Sequence, residues 1–400
     1  MLNASEGEAR VDVTWRPAPS LERIEDALAS YRGPIMEELG RLLPADARMR
    51  AVLYDPIREH ALRPGKGLRP AICLATCRAL GGGIEACLPT AAVLEMLHNA
   101  FLIHDDVEDG SLVRRDQPAM HVLYGAAAAI NAGDAMLALA LRPLLDNTAL
   151  IGLGKALRVL ETIADAVRHT VEGQALELDW IRHGAAAIDD RDYLTVVEKK
   201  TASYSFVAPT VSGAIIAGAP EACIAHLSRF AQSVGVAFQI RDDVLNLRAG
   251  ERWGKERLDD LWEGKRTLVL AHALRQASFA ERSRAERILR KPRPTVNDDA
   301  VVGSVDALER IAAAEPRVRD AIEAALAPLR KQVDAKRPDD VAFLRELIDR
   351  AGSLDHADSI AEVQADRALA ALSDCAPWIP ASPHASFLHD IIEFVRRRDH

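Results

Sequence analysis

Residues 101–118 read FLIHDDVEDGSLVRRDQP. Asp105, Asp106, Glu108 and Asp109 crowd the end of an apolar, helix-patterned run, and Arg114 and Arg115 follow at once. Two carboxylates ~4 Å apart near a protein surface repel by on the order of 4 kcal/mol. Such a cluster is either a solvated turn or a site neutralised by a cation. On a helix, His98, Leu102, Asp105 and Asp109 share one stripe. The i,i+4 pair Asp105 and Asp109 has Cβ atoms ~5–6 Å apart, a separation suited to oxygen ligation of a hard cation such as Mg²⁺. The acids also sit toward the negative end of the helix dipole, where charge of their sign needs compensation.

The pattern recurs. FQIRDDVLN (238–246) places Asp242 and Asn246 at i,i+4, with Asp243 alongside and Gln239 one turn earlier. Its lead-in is again apolar, and Gly235 allows a close helix approach. Basic groups alternate with the two acidic ends: Lys66 and Arg69 in PGKGLRP, Arg114 and Arg115, Lys199, Lys200 and Thr201 in EKKTASYSF, Lys255 and Lys265 in GKERLDDLWEGKRT. Guanidinium and ammonium groups of this kind hold diphosphates. The Gly-rich turn at 64–67 is not a P-loop, because GxxxxGK[ST] is not matched.

The elements that must position these residues are helical. Apolar spacing of three and four predicts helices over 20–44, 70–80, 86–105, 120–145, 155–180, 190–218, 221–247, 265–278 and 341–374, with FLHDIIEFVRRR closing the chain. Period-two alternation and hairpin signals are missing, so the reading is an all-α bundle. KPRPTVNDD (291–299) breaks the pattern as a loop, and 300–340 is helical but strongly charged. The 400 residues are 49% hydrophobic and 4% aromatic, consistent with a large Ala- and Leu-rich core. A net charge of −9 gives no sign of nucleic-acid binding.

Five scattered cysteines argue against a disulfide framework and for a reducing compartment. Cys73 and Cys77, one turn apart, read as buried thiols rather than half of a zinc site. The N-terminus carries acids and no apolar run, and the tract at 125–141 contains Asp134 and is short for a bilayer. The expectation is a cytoplasmic protein with no membrane span.

PGKGLRP, LHNAFLIHDDVEDGSLVRR, KTASYSF, FQIRDDVLN and GKERLDDLWEGKRT, in this order, resemble the trans-isoprenyl diphosphate synthases, or polyprenyl synthetases. The resemblance covers about residues 20–280 and includes the last helices. It implies the isoprenoid synthase helical bundle around a central catalytic cavity, as a homodimer. Residues 1–19 would be a flexible extension, and 20–400 one domain with a charged insertion at about 295–340.

Carried over by motif, Asp105, Asp109 and Asp242 would hold Mg²⁺, three ions per site, with Asp106, Asp243 and Asn246 in support. Arg114, Lys200, Thr201, Gln239, Lys255 and Lys265 would contact an allylic diphosphate. Lys66, Arg69, His98 and Arg115 would bind isopentenyl diphosphate. The acids, Arg114 and Lys200 would carry the catalysis: departure of diphosphate, then attack by the isopentenyl double bond.

Two single positions depart from the family pattern: Asn246 stands for Asp, and Asp116 for Gly, where it would temper the charge of Arg115. In this family a bulky residue one turn before the first Asp floors the product cavity. Phe101, with small Ala100 beside it and Leu97 a turn below, implies a twenty-carbon product, geranylgeranyl diphosphate. Farnesyl or longer products, a non-catalytic subunit of a heteromeric synthase and a terpene cyclase are the alternatives.

Overall fold

The structure is a computed structural model. It describes residues 21–397 except 45, 64, 185–187, 249–257, 294–306, 309, 313–317 and 334. The extension 1–19 and Lys255 therefore lie outside the described residues.

The described chain is almost entirely helical, as its periodicity predicts. The helices begin with α1 (Leu21–Leu42), α2 (Ala47–Met49), a π-helical turn Arg50–Tyr54, and α3 (Asp55–Leu62). They continue with α4 (Leu68–Ala79), α5 (Ile84–Asp109), α6 (Met120–Tyr124), α7 (Ala126–Ile151) and α8 (Leu153–His183). Then come α9 (Asp190–Val197), a π-helical segment Glu198–Val207, α10 (Ala208–Ala217) and α11 (Glu221–Arg248). The order goes on through α12 (Asp259–Glu263), α13 (Leu268–Gln276) and α14 (Phe279–Leu289). Helices Arg319–Val333, Pro338–Arg350, Ser353–Ser373 and Pro383–Arg397 complete the series.

Two helices set the site. α5 packs on α4 and α7, and α11 packs on the π-helical segment and on Ser353–Ser373. α5 stops where it does because Gly110 takes a left-handed φ of 66°, so the acids occupy its last turns. Gly235 does what its position suggests: a Cβ there would lie 2.7 Å from Ala202 Cα. α11 and the π-helical segment can therefore approach closely.

The structure differs from the sequence reading in several places. The predicted helix 120–145 is broken at Gly125, whose φ of 85° suits a residue without Cβ. The 341–374 helix is broken likewise at Gly352, φ 63°. A two-residue antiparallel pair, β1 (Val113–Arg114) with β2 (Gln117–Pro118), follows α5; it is too short to leave an alternation pattern.

A further difference concerns length. α5 and α7 are each 26 residues and apolar enough to cross a membrane by length and composition, so the length argument against a span fails. α5 is accounted for by burial, since it supplies core residues from Cys87 to Ile103. The five cysteines are free and buried, with Cys73 and Cys87 Sγ atoms 3.5 Å apart.

Candidate active site

The two acidic helix ends face one cavity of about 690 Å³, lined by Asp105 and Arg114 from the first motif and Asp242 and Gln239 from the second. Lys66, Arg69, His98, Arg115, Lys200, Thr201 and Lys265 line the same cavity.

At the first end, each acid has a different partner. Arg114 comes back over the helix on the β1–β2 pair, and its Nε donates to Asp106 Oδ1 at 2.8 Å. Its Nη2 reaches the same oxygen, and Asp105 at 3.7 Å. Burial disfavours the Arg114 charge, but Asp106 outweighs it and holds the pKa raised. Asp105 also meets Lys200 Nζ at 3.3 Å, and Lys200 pairs in turn with Glu177 on α8. The Asp109 side chain is buried behind Lys265 and is not among those that line the cavity. Its Oδ2 lies 2.8 Å from Lys265 Nζ, which is also 2.8 Å from Glu263 Oε2. Burial pushes the Asp109 carboxyl up to about 7, with Lys265 pulling the other way.

At the second end, neutral donors hold Asp243. Tyr193 on α9 donates its hydroxyl to Asp243 Oδ2 at 2.6 Å, and Gln239 Nε2 donates to Asp243 Oδ1 at 2.7 Å. Thr201 donates to Gln239 Oε1 at 2.9 Å, which fixes the amide's orientation. Burial raises Asp243 to about 7 against these two hydrogen bonds. Asn246 is buried, and its oxygen accepts from the Asp260 backbone N–H at 3.3 Å, at the start of α12. It does not line the cavity. Asn246 thus caps a helix start in this structure, a task for which a neutral oxygen suffices.

The remaining cations gather elsewhere on the cavity wall. Arg69 donates to Tyr204 Oη at 2.9 Å and Ser205 Oγ at 3.1 Å, and lies over the Tyr204 ring at 4.7 Å. Lys66 lies over the Phe394 ring of the C-terminal helix at 5.1 Å. Arg115 donates to Arg63 O at 3.3 Å and Asn99 Oδ1 at 3.5 Å, and crosses Gly65, where a Cβ would lie 3.0 Å from its Cζ. Burial lowers the Arg115 pKa, opposed by Glu95. Glu95 is thus an acid that favours the Arg115 charge, while Asp116 is exposed. His98 is held neutral: burial, then Arg69 and Arg115, push its pKa well below the usual range.

Arg115 and Asp116 have φ of 55° and 59°, as a two-residue type I′ connection requires. This gives a physical reason for the family's Gly at 116.

The cavity's apolar wall comprises Phe101, Leu102, Leu137, Val167, Val171, Tyr204 and Phe238. Phe101 packs edge-on against Tyr204 at 5.2 Å. Leu97 and Ala100 are buried and do not line the cavity, so of the three proposed chain-length residues only Phe101 reaches it.

Glu177, Tyr193, Tyr204 and Glu263 escaped the sequence reading. Tyr204 could have been found, because it falls one turn after Lys200 in the same motif. Glu177 and Tyr193 could not, since the fold alone brings them to Lys200 and Asp243.

Among the described residues, no group of three or more His, Cys, Asp or Glu side chains is gathered closely enough to hold a metal ion. The donor chemistry nonetheless fits Mg²⁺. The acids are hard oxygen donors, and Mg²⁺ typically takes one or two carboxylates together with substrate phosphates and water.

The comparisons agree with this geometry. Residues 50–303 match the family model described as polyprenyl synthetase. The chain is 33% identical over 264 residues to a geranylgeranyl diphosphate synthase of Methanosarcina mazei, spanning 65% of this chain and 79% of that one. Among solved structures it is similar to a polyprenyl synthase from Caulobacter crescentus complexed with calcium and isoprenyl diphosphate, with TM-score 0.70 and 28% identity over 96% of this chain and 99% of that one. It is similar also to a geranylgeranyl pyrophosphate synthetase from Pyrococcus horikoshii, with TM-score 0.74 and 28% identity over 94% and 99%. With the paired acidic ends, the ringing cations and the apolar wall in one cavity, the chain belongs to the polyprenyl synthetase family of prenyltransferases.

Proposed function

We propose that this chain condenses isopentenyl diphosphate with an allylic diphosphate and releases geranylgeranyl diphosphate. The observation that carries this reading is the division of charge in one cavity. Asp105, Asp242, Lys200 and Lys265 line it together, Lys66, Arg69 and Arg115 form a second cationic group, and apolar side chains complete the wall.

Asp105, Asp242 and, on exchanging its Lys265 partner, Asp109 would hold Mg²⁺, three ions per site. The metal supplies Lewis-acid stabilisation of a departing diphosphate. Arg114, Lys200 and Lys265 hold the allylic diphosphate, with Gln239 and Thr201 orienting it, so that charge growing on the leaving oxygen meets fixed cations. Lys66, Arg69 and Arg115 hold isopentenyl diphosphate, and neutral His98 adds a hydrogen-bonding group without further charge. The allylic C–O bond breaks and its electron pair leaves with diphosphate. The isopentenyl double bond then attacks, and the proton lost passes to the released diphosphate. The apolar wall excludes water from the carbocation.

Phe101 supports a medium-length product, because it is the one of the three chain-length candidates that meets the cavity. The test is incubation with labelled isopentenyl diphosphate and each allylic starter, with Mg²⁺ or chelator, followed by chromatography. A Mg²⁺-dependent twenty-carbon product is expected, and Phe101→Ala should add at least one five-carbon unit. An unchanged product from that variant removes Phe101 as the floor.

The homodimer reading is supported by an exposed apolar face on α7 and α8, where Leu141, Leu145, Leu153 and Leu157 are each more than half exposed. Sedimentation should report twice the 43.5 kDa chain. A monomer at micromolar concentration rejects it. The free buried cysteines fit a reducing compartment, and we place the protein in the cytoplasm.

A further inference from the structure

Lys265 lies between two carboxylates, and one of them, Glu263, is held from outside the cavity. Arg293 Nη1 donates to Glu263 Oε1 at 3.2 Å and to Asp259 Oδ1 at 2.6 Å, at opposite ends of α12. Ser111, just past the first acidic end, donates to the same Glu263 oxygen at 3.0 Å. The other Glu263 oxygen meets Lys265, which meets Asp109. The line Arg293–Glu263–Lys265–Asp109 is a buried alternation of charges: Asp109 and Glu263 side chains are each 2% exposed, Arg293 12% and Lys265 13%.

A second tie comes from Lys336. It is 3% exposed, and its Nζ donates to Trp262 O at 2.8 Å and Lys291 O at 2.9 Å. Its own backbone N–H donates to Pro292 O at 2.9 Å. At Gly264 a Cβ would lie 3.1 Å from Lys336 Nζ, so the turn leading into Lys265 sits directly on this ammonium. Arg293 and Lys336 bracket the charged stretch 294–335; Arg293 holds Asp259 and Glu263, and Lys336 holds Trp262 O and abuts Gly264, all in the segment that leads into Lys265. A lysine buried against two backbone carbonyls is a costly way to fill space, and its use here indicates that the Trp262–Gly264 backbone must be held in one place.

We infer that Arg293 and Lys336 are positioning residues for Lys265: Arg293 through Glu263, and Lys336 through the Trp262–Gly264 backbone. The two flanks of the charged stretch thereby set the allylic diphosphate contact. This rests on the reading of Lys265 as that contact.

The test is steady-state kinetics on the full chain with Mg²⁺, varying each diphosphate separately. Arg293→Met should raise KM for the allylic diphosphate about tenfold, as loss of an outer supporting contact does. It should leave KM for isopentenyl diphosphate within about twofold, and Arg293→Lys should restore most of the loss. In a Lys265→Ala background, Arg293→Met should add less than about twofold, because coupled residues are not additive.

Should Arg293→Met fold poorly, Lys336→Met interrogates the same turn through its backbone and should move the same KM. An equal rise in both KM values, or a full additional tenfold effect in the Lys265→Ala background, overturns the positioning role. If Lys265→Ala raises the allylic KM and neither Arg293→Met nor Lys336→Met does, the clamp alone fails. If Lys265→Ala leaves that KM unchanged, the reading of Lys265 fails and the clamp with it.

Discussion

The two acidic helix ends look like copies in the sequence and are held in opposite ways. At the end of α5, Asp106 is gripped by Arg114, and Asp109 by Lys265. At the end of α11, Asp243 is gripped by the neutral hydroxyl of Tyr193 and the amide of Gln239, and Asn246 caps α12. In both cases the second Asp of the pair is fixed in the protein, while the first, Asp105 or Asp242, lines the cavity. The repeated DD thus divides into one residue that lines the cavity and one that anchors the helix end. The difference lies in the anchor: a guanidinium holds Asp106 at the first end, and neutral donors hold Asp243 at the second.

If the two cavity-facing carboxylates share one task, Asp105→Asn and Asp242→Asn should each lower kcat by at least about 10²-fold. A large loss from one and near-normal turnover from the other would break the pairing. Next in size, Tyr193→Phe removes a donor from buried Asp243 and should cost about 1–3 kcal/mol of stability in urea unfolding. If Tyr193→Phe unfolds at the wild-type midpoint, then neutral donors do not hold the second end. The smallest effect concerns the hairpin that follows the first end. Asp116→Gly relieves a left-handed backbone and should stabilise the protein by about 0.5–1 kcal/mol, and destabilisation would count against strain there.

Much of the scaffold was legible, since α5 and α11 announce themselves by apolar spacing ending in acids. Gly110 shows why α5 ends on Asp109, but no local pattern says that Asp109 would turn to Lys265, more than 150 residues later. Asn246 illustrates the limit differently. Its i,i+4 spacing suggested a ligand, but the backbone N–H of Asp260 claims its oxygen. Tyr193 and Glu177 were invisible because their partners lie on other helices, and only packing brings them together. The π-helical segment Glu198–Val207 was read as plain helix, since an extra residue in a turn leaves apolar spacing nearly unchanged.

The central claim is that Asp105 and Asp242, from two different helices, hold one diphosphate through divalent ions. Calorimetric titration of an allylic diphosphate into the wild type, Asp105→Asn and Asp242→Asn proteins, each with Mg²⁺ and with chelator, tests it directly. Mg²⁺ should tighten binding to the wild type and not to either variant, while isopentenyl diphosphate binds all three alike. Mg²⁺-enhanced allylic binding that survives in either variant would contradict the account.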